Sequence, residues 1–260
     1  MRAAGSSFGL GPRTGGCRLR ADKRGAANYG PRMKTVRDFI KQSVAGDGDR
    51  RLEAPGFQGN GEAICEVVSE LLGGKTGDVV EVGSGSGQHA ALLASRLPGL
   101  SFWPSDYSEA QIGSINAWRR HAQSPNLMPA TKLDVLWKPW RIAGRPFDDR
   151  SLAAVLCINL IHIAAWEVAL AVLQGSAPLL RPDGFLMFYG PFRRDDVQTA
   201  PSIAAYDDTL RSHNPAWGVP DLDELTAAAR DAGLERYAVF DMPANNLMVA
   251  YRPAGGAGAA

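Results

Sequence analysis

Residues 79–97 read VVEVGSGSGQHAALLASRL, in which three glycines separate a β-branched run from a run rich in alanine and leucine. The first run is typical of a short buried strand, and the second has the composition of a helix. Glycines at such a junction allow a tight turn and a close approach of the backbone to a ligand. The stretch therefore predicts a strand, a ligand-binding loop and a helix in succession, as in an α/β protein.

The same alternation continues along most of the chain. Hydrophobic spacing predicts helices at residues 62–72, 88–96, 109–122, 164–180 and 221–232. It predicts seven strands, at residues 79–82, 101–103, 128–133, 152–158, 185–189, 235–240 and 247–251. Because strands that alternate with helices form crossover units, we expect a doubly wound α/β fold with a mainly parallel seven-stranded sheet. The short loop 241–246 makes the last strand antiparallel to its predecessor.

The acid before the glycines constrains the ligand. Gly83, Gly85 and Gly87 have the spacing G-x-G-x-G, and Gln88 stands where a dinucleotide fingerprint has its third glycine. A helix N-terminus favours phosphate, but a carboxylate beside it would repel that ligand. Glu81 would instead attract an ammonium or sulfonium group. The loop thus indicates a cationic ligand and disfavours the alternative enzyme class, an NAD-linked oxidoreductase.

Two further predicted strands end in acids. Asp106 stands about 25 residues after Glu81, at a strand end where an acid can accept hydrogen bonds from both hydroxyls of a ribose. Asp134 ends the next strand, beside Val135. The structural alternatives are a helix N-cap for Asp106 and a turn for Asp134.

Three acids at successive strand ends resemble the S-adenosylmethionine site of class I methyltransferases. In that family the first acid and the glycine loop hold the methionine part, the second acid holds the ribose, and the third lies beside the adenine amino group. By this resemblance we expect S-adenosyl-L-methionine to be the cofactor. The expected cofactor-binding residues are Glu81, Gly83, Ser84, Gly85, Gly87, His89, Asp106, Asp134, Val135 and Asn159.

The resemblance extends downstream. The segments EVGSGSGQHA, WPSD, INLIHIAAW, LMFYGPFRRD, TAPSIAAYD, WGVPDLDEL and MPANN follow one another in this order. Together they are similar to a methyltransferase-like family catalogued as a domain of unknown function, and they cover residues 60–251. This chain has Gly59 and Asn60 where that family usually carries an Arg-Asn pair, so it lacks the arginine of that pair.

Candidate catalytic residues follow the fourth and fifth predicted strands. Asn159 and His162 end the fourth strand, where the reacting groups meet in this architecture, and Tyr189 ends the fifth. A histidine can take a proton near neutral pH, and an asparagine can hold an acceptor group. His162 as a core histidine is an equal alternative. His89 lies in the first turn after the glycines, where a capping role is the alternative.

Other polar and aromatic residues near the predicted strand ends have alternative roles. Arg193 and Arg194 can clamp an anionic substrate group or lie in solvent. Asn245 and Asn246 favour a tight turn. Among the six tryptophans, Trp137 and Trp140 follow Asp134 and can wall the adenine side.

Composition separates a basic tail from the rest. Residues 1–34 hold eight of the 28 basic residues and one of the 27 acidic residues, so the remainder has 20 basic and 26 acidic residues. That balance disfavours nucleic-acid binding by the folded part. We expect a disordered Gly/Arg-rich tail at 1–34, a methyltransferase-like domain at 57–252 and a disordered tail at 253–260. A transit peptide and an upstream extension with Met33 as the start are alternative interpretations of the first segment.

Cysteine usage and hydropathy bear on location. Cys17, Cys65 and Cys157 match no metal-ligand or redox spacing, so we expect no metal and a reducing, cytoplasmic setting. Residues 152–173 are long enough to cross a bilayer, but Asn159, His162 and Glu167 interrupt them, and an acid inside a span costs roughly 2.5 to 3.5 kcal/mol. A buried strand followed by a helix is therefore expected there, with no membrane partner.

The sequence thus predicts S-adenosylmethionine-dependent methyl transfer to a small-molecule acceptor. The alternative from a different class is a non-catalytic module that binds the cofactor or its product as a scaffold or regulator.

Overall fold

A computed structural model describes residues 42–43, 49–194 and 200–255. The predicted tail at 1–34 and residues 256–260 of the predicted C-terminal tail lie outside the described residues. Pro253, which was assigned to that tail, is instead the last residue of a strand.

The described strands form one large sheet and two small hairpin-like pairs. In chain order the strands are β1 (Gln42–Ser43), β2 (Leu52–Glu53), β3 (Gly77–Val82), β4 (Leu100–Asp106), β5 (Thr131–Lys132), β6 (Arg141–Ile142), β7 (Arg145–Pro146), β8 (Leu152–Ile158), β9 (Leu180–Pro191), β10 (Leu234–Met242) and β11 (Asn246–Pro253). The helices are α1 (Phe57–Leu72), α2 (Gln88–Arg96), α3 (Glu109–Ala122), α4 (Trp166–Ser176), α5 (Pro201–His213) and α6 (Leu222–Asp231).

The large sheet has seven strands in the order β10-β11-β9-β8-β3-β4-β5. The pairs β3 with β4, β3 with β8, β8 with β9 and β4 with β5 are parallel. Only β11 runs against its neighbours, because it pairs antiparallel with both β9 and β10. The predicted doubly wound, mainly parallel seven-stranded sheet with an antiparallel last strand is confirmed.

Alternate side chains of the central strands enter two apolar layers. Val79 of β3 packs with the buried faces of α1 and α2, whereas Val80 packs with α4 and α6 on the opposite face. All seven residues of β8 are buried. Such continuous burial is what a central parallel strand covered by helices on both faces requires. Glu81 follows Val80, so its side chain faces the layer of α1 and α2.

Prolines explain where two predicted elements differ from the structure. The predicted strand 128–133 contains only Thr131–Lys132 as strand, because Pro129 has no N–H to donate and interrupts the pairing with β4. The predicted helix 164–180 ends at Ser176, two residues before Pro178, because proline has no N–H to continue the helical hydrogen bonds and its ring clashes with the preceding turn. Helix α5 was not predicted, and Ile203 and Leu210 are its two buried residues.

The stretch 152–173 divides as the sequence predicted. Its first part is β8, a short 3-10 turn follows at Ile161–Ile163, and α4 begins at Trp166. Within the described residues, no helix has both the length and the apolar composition needed to span a bilayer.

Candidate functional site

The glycine loop connects β3 to α2 at the carboxyl edge of the sheet. Gly83, Gly85 and Gly87 all have positive φ, of 67°, 57° and 92°. A Cβ on Gly83 would lie 3.0 Å from the Leu160 side chain, and one on Gly87 would lie 2.7 Å from the Cα of Ile115. A Cβ on Gly85 would have no neighbour within 4 Å. Packing therefore accounts for two of the glycines, while Gly85 borders open space where a ligand can approach.

Glu81 is a buried acid at the base of this loop. Its side chain is 2% exposed, and within the described residues its Oε2 atom has no hydrogen-bond partner. Burial raises the pKa of this carboxyl to about 7, and the nearby Asp106 adds to the rise while a hydrogen bond with Ser84 opposes it. A buried carboxylate without a counter-charge is unfavourable, so a cation placed here would stabilise the ionised form.

Asp106, the last residue of β4, is tied to the same loop. Its Oδ2 accepts the N–H of Gly85 at 3.0 Å, and its Oδ1 accepts the N–H of Ser108 at 2.8 Å. Burial raises its pKa, although these backbone donors oppose the shift. Asp106 thus holds the loop and also faces the first turn of α3. Each of its oxygens retains lone pairs for further donors such as hydroxyls.

Serines fix the loop against β4. The N–H of Ser84 donates to the carbonyl of Ser105 at 2.8 Å, and the N–H of Ser105 donates to the Ser84 hydroxyl at 3.2 Å. The Ser105 hydroxyl donates to the backbone carbonyl of Glu81 at 2.8 Å. Ser105 is fully buried and was not singled out from the sequence, since a serine within a predicted strand carries no signal of its own.

The third acid lies in a turn. Asp134 Oδ1 accepts the N–H of Leu136 at 3.0 Å, which is the hydrogen bond of the turn alternative. The carbonyl of Val135 accepts the indole N–H of Trp140 at 3.1 Å. Trp140 is 3% exposed and packs on Gly175 of α4, so it belongs to the apolar core on that face of the sheet. Trp137, in contrast, is 76% exposed.

The ends of β8 and β9 bring the proposed catalytic side chains together. Asn159 has a φ of 55°, and its N–H donates to the carbonyl of Tyr189 at 2.9 Å. A Cβ on Gly190 would lie 3.2 Å from His162 Nδ1 and 3.5 Å from Asn159 Oδ1. Gly190 therefore allows both side chains to approach β9. Because His162 is only 3% exposed, burial lowers its pKa to about 4, and the ring is neutral at physiological pH.

A family model described as "Protein of unknown function (DUF938)" matches residues 51–253. The chain belongs to the DUF938 family. This match spans the sheet, the glycine loop and all the residues discussed above, and it confirms the family resemblance. The DUF938 domain has the fold of class I methyltransferases, by its strand order and its structural neighbours.

Solved methyltransferase structures share the fold of the DUF938 domain at low sequence identity. An O-methyltransferase family protein from Burkholderia thailandensis is 17% identical, with a TM-score of 0.61 over 75% of this chain and 56% of that chain. An O-methyltransferase family 2 protein from Planctomyces limnophilus, in complex with apigenin, is 16% identical with a TM-score of 0.61 over 75% and 56% of the two chains. Geranyl diphosphate C-methyltransferase from Streptomyces coelicolor, in complex with S-adenosyl-L-homocysteine, is 13% identical with a TM-score of 0.58 over 74% and 79%. The chain spans about half the length of the first two of these proteins.

His89 of the DUF938 domain faces α1. Its Nε2 lies 3.0 Å from Asn60 Oδ1, and its ring meets that of Phe57 edge-on at 5.0 Å between centroids. Burial lowers its pKa to about 4. The observed contacts of His89 thus join the first turns of α1 and α2. Asn60, the asparagine of the family's Arg-Asn pair, supplies the partner.

The remaining predicted polar residues lie around the same edge of the sheet. Tyr189 is 2% exposed in the layer covered by α1. The N–H of Arg193 donates to the carbonyl of Pro220, and the carbonyl of Arg193 accepts the N–H of Leu222. Arg194 Nη1 lies 3.8 Å from Asp241 Oδ1. Asn245 Nδ2 donates to the Ser202 hydroxyl and Asn246 Nδ2 to the carbonyl of Pro243, within and beside the turn before β11.

A surface cavity of about 550 Å³ lies elsewhere in the DUF938 domain, at the amino end of the sheet. Its lining includes Arg150, Pro178 and Gly233. Glu81, Asp106 and the glycine loop lie at the opposite, carboxyl edge of the sheet, where ligands of open α/β sheets bind. The chemistry therefore assigns the site to the glycine loop.

Proposed function

We propose that the domain binds S-adenosyl-L-methionine at the glycine loop and transfers its methyl group to a small-molecule acceptor. The observation that carries the proposal is Glu81, a buried acid at the base of the glycine loop with one oxygen unpartnered among the described residues. Such a site favours a positively charged ligand over a pyrophosphate, and the cofactor carries an ammonium and a sulfonium group. The residues present fit this group.

The chain's own residues have distinct roles in this proposal. Glu81 and the loop at Gly83–Gly87 hold the methionine part, and Asp106 accepts hydrogen bonds from the ribose hydroxyls. Asp134 and Val135 lie on the adenine side. When bound, the cofactor supplies an electrophilic methyl group attached to sulfur. Methyl transfer needs mainly in-line positioning of the acceptor, so a small set of protein groups suffices.

The acceptor is proposed to lie over the ends of β8 and β9. Asn159 Oδ1 can orient a donor group of the acceptor, and Tyr189 contributes to the wall of this region. The His162 ring is neutral at pH 7, so one ring nitrogen is available to an acceptor that arrives protonated, and burial, which lowers the His162 pKa to about 4, makes it a weaker base than a free imidazole. Two of the neighbouring methyltransferases are in complex with apigenin and with geranyl diphosphate, which supports a small-molecule acceptor.

Activity profiling tests this function. The purified chain is incubated with methyl-labelled S-adenosyl-L-methionine and a fractionated metabolite extract, with the Asp106→Ala variant as the matched control. Label that appears in a small molecule with the wild type and falls with the variant is the expected result. Cofactor binding without label transfer to any fraction would support the non-catalytic alternative. Binding of NAD with no binding of S-adenosylhomocysteine would contradict both.

A further inference from the structure

The segment that precedes α1 lies across the glycine loop and α3. Its residues 51–54, here called the strap, include β2 and lie outside the large sheet. The carbonyl of Leu52 accepts the indole N–H of Trp118 at 2.8 Å, and the guanidinium of Arg51 lies 5.0 Å from the centre of the Trp118 ring. The strap is therefore anchored on α3.

Two side chains connect the strap to the glycine loop. The Ser114 hydroxyl accepts the N–H of Leu52 at 2.8 Å and donates to the carbonyl of Ser86 at 2.7 Å. Gln88 Oε1 accepts the N–H of Ala54 at 2.7 Å and the Ser86 hydroxyl at 3.1 Å. Each bridging side chain thus has one partner in the strap and one at Ser86, between the two glycines nearest to α2.

The bridging hydrogen bonds are buried, and they therefore stabilise the loop more than exposed ones would. Ser86 and Gln88 are each 6% exposed, and Ser114 is fully buried. A buried donor or acceptor that loses its partner is strongly unfavourable, so displacement of the strap would leave loop groups unpaired. The loop holds Gly85 and Gly87 at positive φ, where glycine has no intrinsic preference for one conformation. External hydrogen bonds are therefore needed to select the observed loop shape.

We propose that residues 51–54 are a positioning strap that holds the glycine loop in its cofactor-binding shape, with Gln88 and Ser114 as positioning residues. The inference rests on the proposed function for the identity of the ligand. Because coupling between two sites is reciprocal, a ligand in the loop also tightens the strap. In this proposal Gln88, which stands where a dinucleotide fingerprint has its third glycine, links the strap to the loop by accepting hydrogen bonds from Ala54 and Ser86.

Four variants test the strap and its bridge to the loop separately. Trp118→Phe removes the indole donor to Leu52 but keeps an aromatic ring beneath Arg51. It substitutes no residue of the glycine loop. Gln88→Met removes the shared acceptor at similar size, whereas Gln88→Glu retains an acceptor oxygen and serves as the rescue. Glu53→Ala is the matched control, since the Glu53 side chain makes no hydrogen bond within the described part of the chain.

Amide hydrogen exchange and calorimetry on the full chain provide the readouts. Exchange is followed at the loop amides of Ser84, Gly85 and Gly87, which are bonded to Ser105, Asp106 and Ser84. Titration with S-adenosylhomocysteine gives the Kd, and urea unfolding gives global stability. Loss of one or two buried hydrogen bonds predicts roughly 5- to 50-fold faster loop exchange and weaker binding for Gln88→Met. Trp118→Phe is expected to make loop exchange about 3-fold faster and ligand binding about 3-fold weaker.

The outcomes distinguish this proposal from the proposed function. Gln88→Glu should recover most of both losses, Glu53→Ala should match the wild type, and bound ligand should slow exchange at the Leu52 and Ala54 amides. Loop exchange that is unchanged in Gln88→Met and Trp118→Phe, or that rises only as much as exchange in β8, would overturn the strap. If the wild type binds no S-adenosylhomocysteine, the proposed function fails, and the loop exchange of the ligand-free variants still decides the strap.

Discussion

Glu81→Gln is expected to change the pH dependence of stability in a defined direction. In the folded protein the Glu81 pKa is about 7, whereas an unperturbed glutamate has a pKa of 4.5. The folded state therefore binds this proton more tightly than the unfolded state does. The resulting stabilisation is complete below pH 4.5 and is lost as the pH rises through 7. Glutamine has the same shape and cannot ionise, so the variant lacks this loss.

The magnitude follows from the size of the pKa shift. At 1.36 kcal/mol per pKa unit, the shift corresponds to about 3 kcal/mol when the carboxyl is fully ionised. Between pH 5 and pH 8.5 the wild type should lose about 2 to 3 kcal/mol relative to Glu81→Gln in ligand-free urea unfolding. Taking the difference between two proteins removes the contributions of other titrating groups. Glu109→Gln is the control, since Glu109 is an exposed acid paired with Lys132.

Ligand affinity should increase with pH, whereas the contribution of Glu81 to stability decreases with pH. S-adenosylhomocysteine carries an ammonium group that favours ionised Glu81, so wild-type affinity should rise as the pH passes through about 7. Glu81→Gln should bind about 10- to 150-fold more weakly at pH 8, because a hydrogen bond to a charged group contributes roughly 1.5 to 3 kcal/mol. Parallel stability curves for the wild type and Glu81→Gln from pH 5 to 8.5 would refute the assignment of a strained buried carboxylate.

Further substitutions at four positions test the rest of the site. Asp106→Ala should weaken cofactor binding by roughly 1.5 to 3 kcal/mol and Asp106→Asn by less, and equal calorimetric affinities for folded Asp106→Ala and the wild type would exclude the ribose role. Gly87→Ala should destabilise the fold by roughly 1 to 3 kcal/mol in urea, because its Cβ would meet the Ile115 backbone. Gly85→Ala should retain more stability and lose cofactor affinity, and the reverse ranking would argue against the ligand side of the loop. His162→Gln should lower turnover roughly 100- to 10,000-fold with little change in cofactor affinity, whereas lower stability with normal turnover per folded molecule would make His162 a core residue.

Strong periodicity allowed several elements to be predicted from the sequence. Helices α2 and α3 and strand β8 begin and end where the sequence placed them. Strand β8 is a continuous apolar run between Ser151 and Asn159, and helices α2 and α3 begin directly after Gly87 and Ser108. Helix α5 was missed because two buried residues in thirteen give a weak apolar stripe. Pro201 at its start was an available signal that a helix begins there.

The site was predictable where chemistry depends on residue type and strand end. Glu81 and Asp106 could be placed at adjacent strand ends because parallel strands align their carboxyl termini. The strap could not be predicted, since Gln88 and Ser114 act through contacts between segments 28 to 62 residues apart, such as Leu52 with Ser114. Likewise, Trp140 follows Asp134 closely in sequence but turns inward to Gly175, a tertiary contact that no local pattern reveals.

Isothermal titration of the full chain at pH 8 with S-adenosylhomocysteine and, separately, with NAD tests the central claim most directly. The buried carboxylate of Glu81 and the loop with Gln88 in place of a third glycine predict saturable binding of S-adenosylhomocysteine and no binding of NAD. Saturable binding of NAD together with no heat from S-adenosylhomocysteine would contradict a site built for a cationic cofactor.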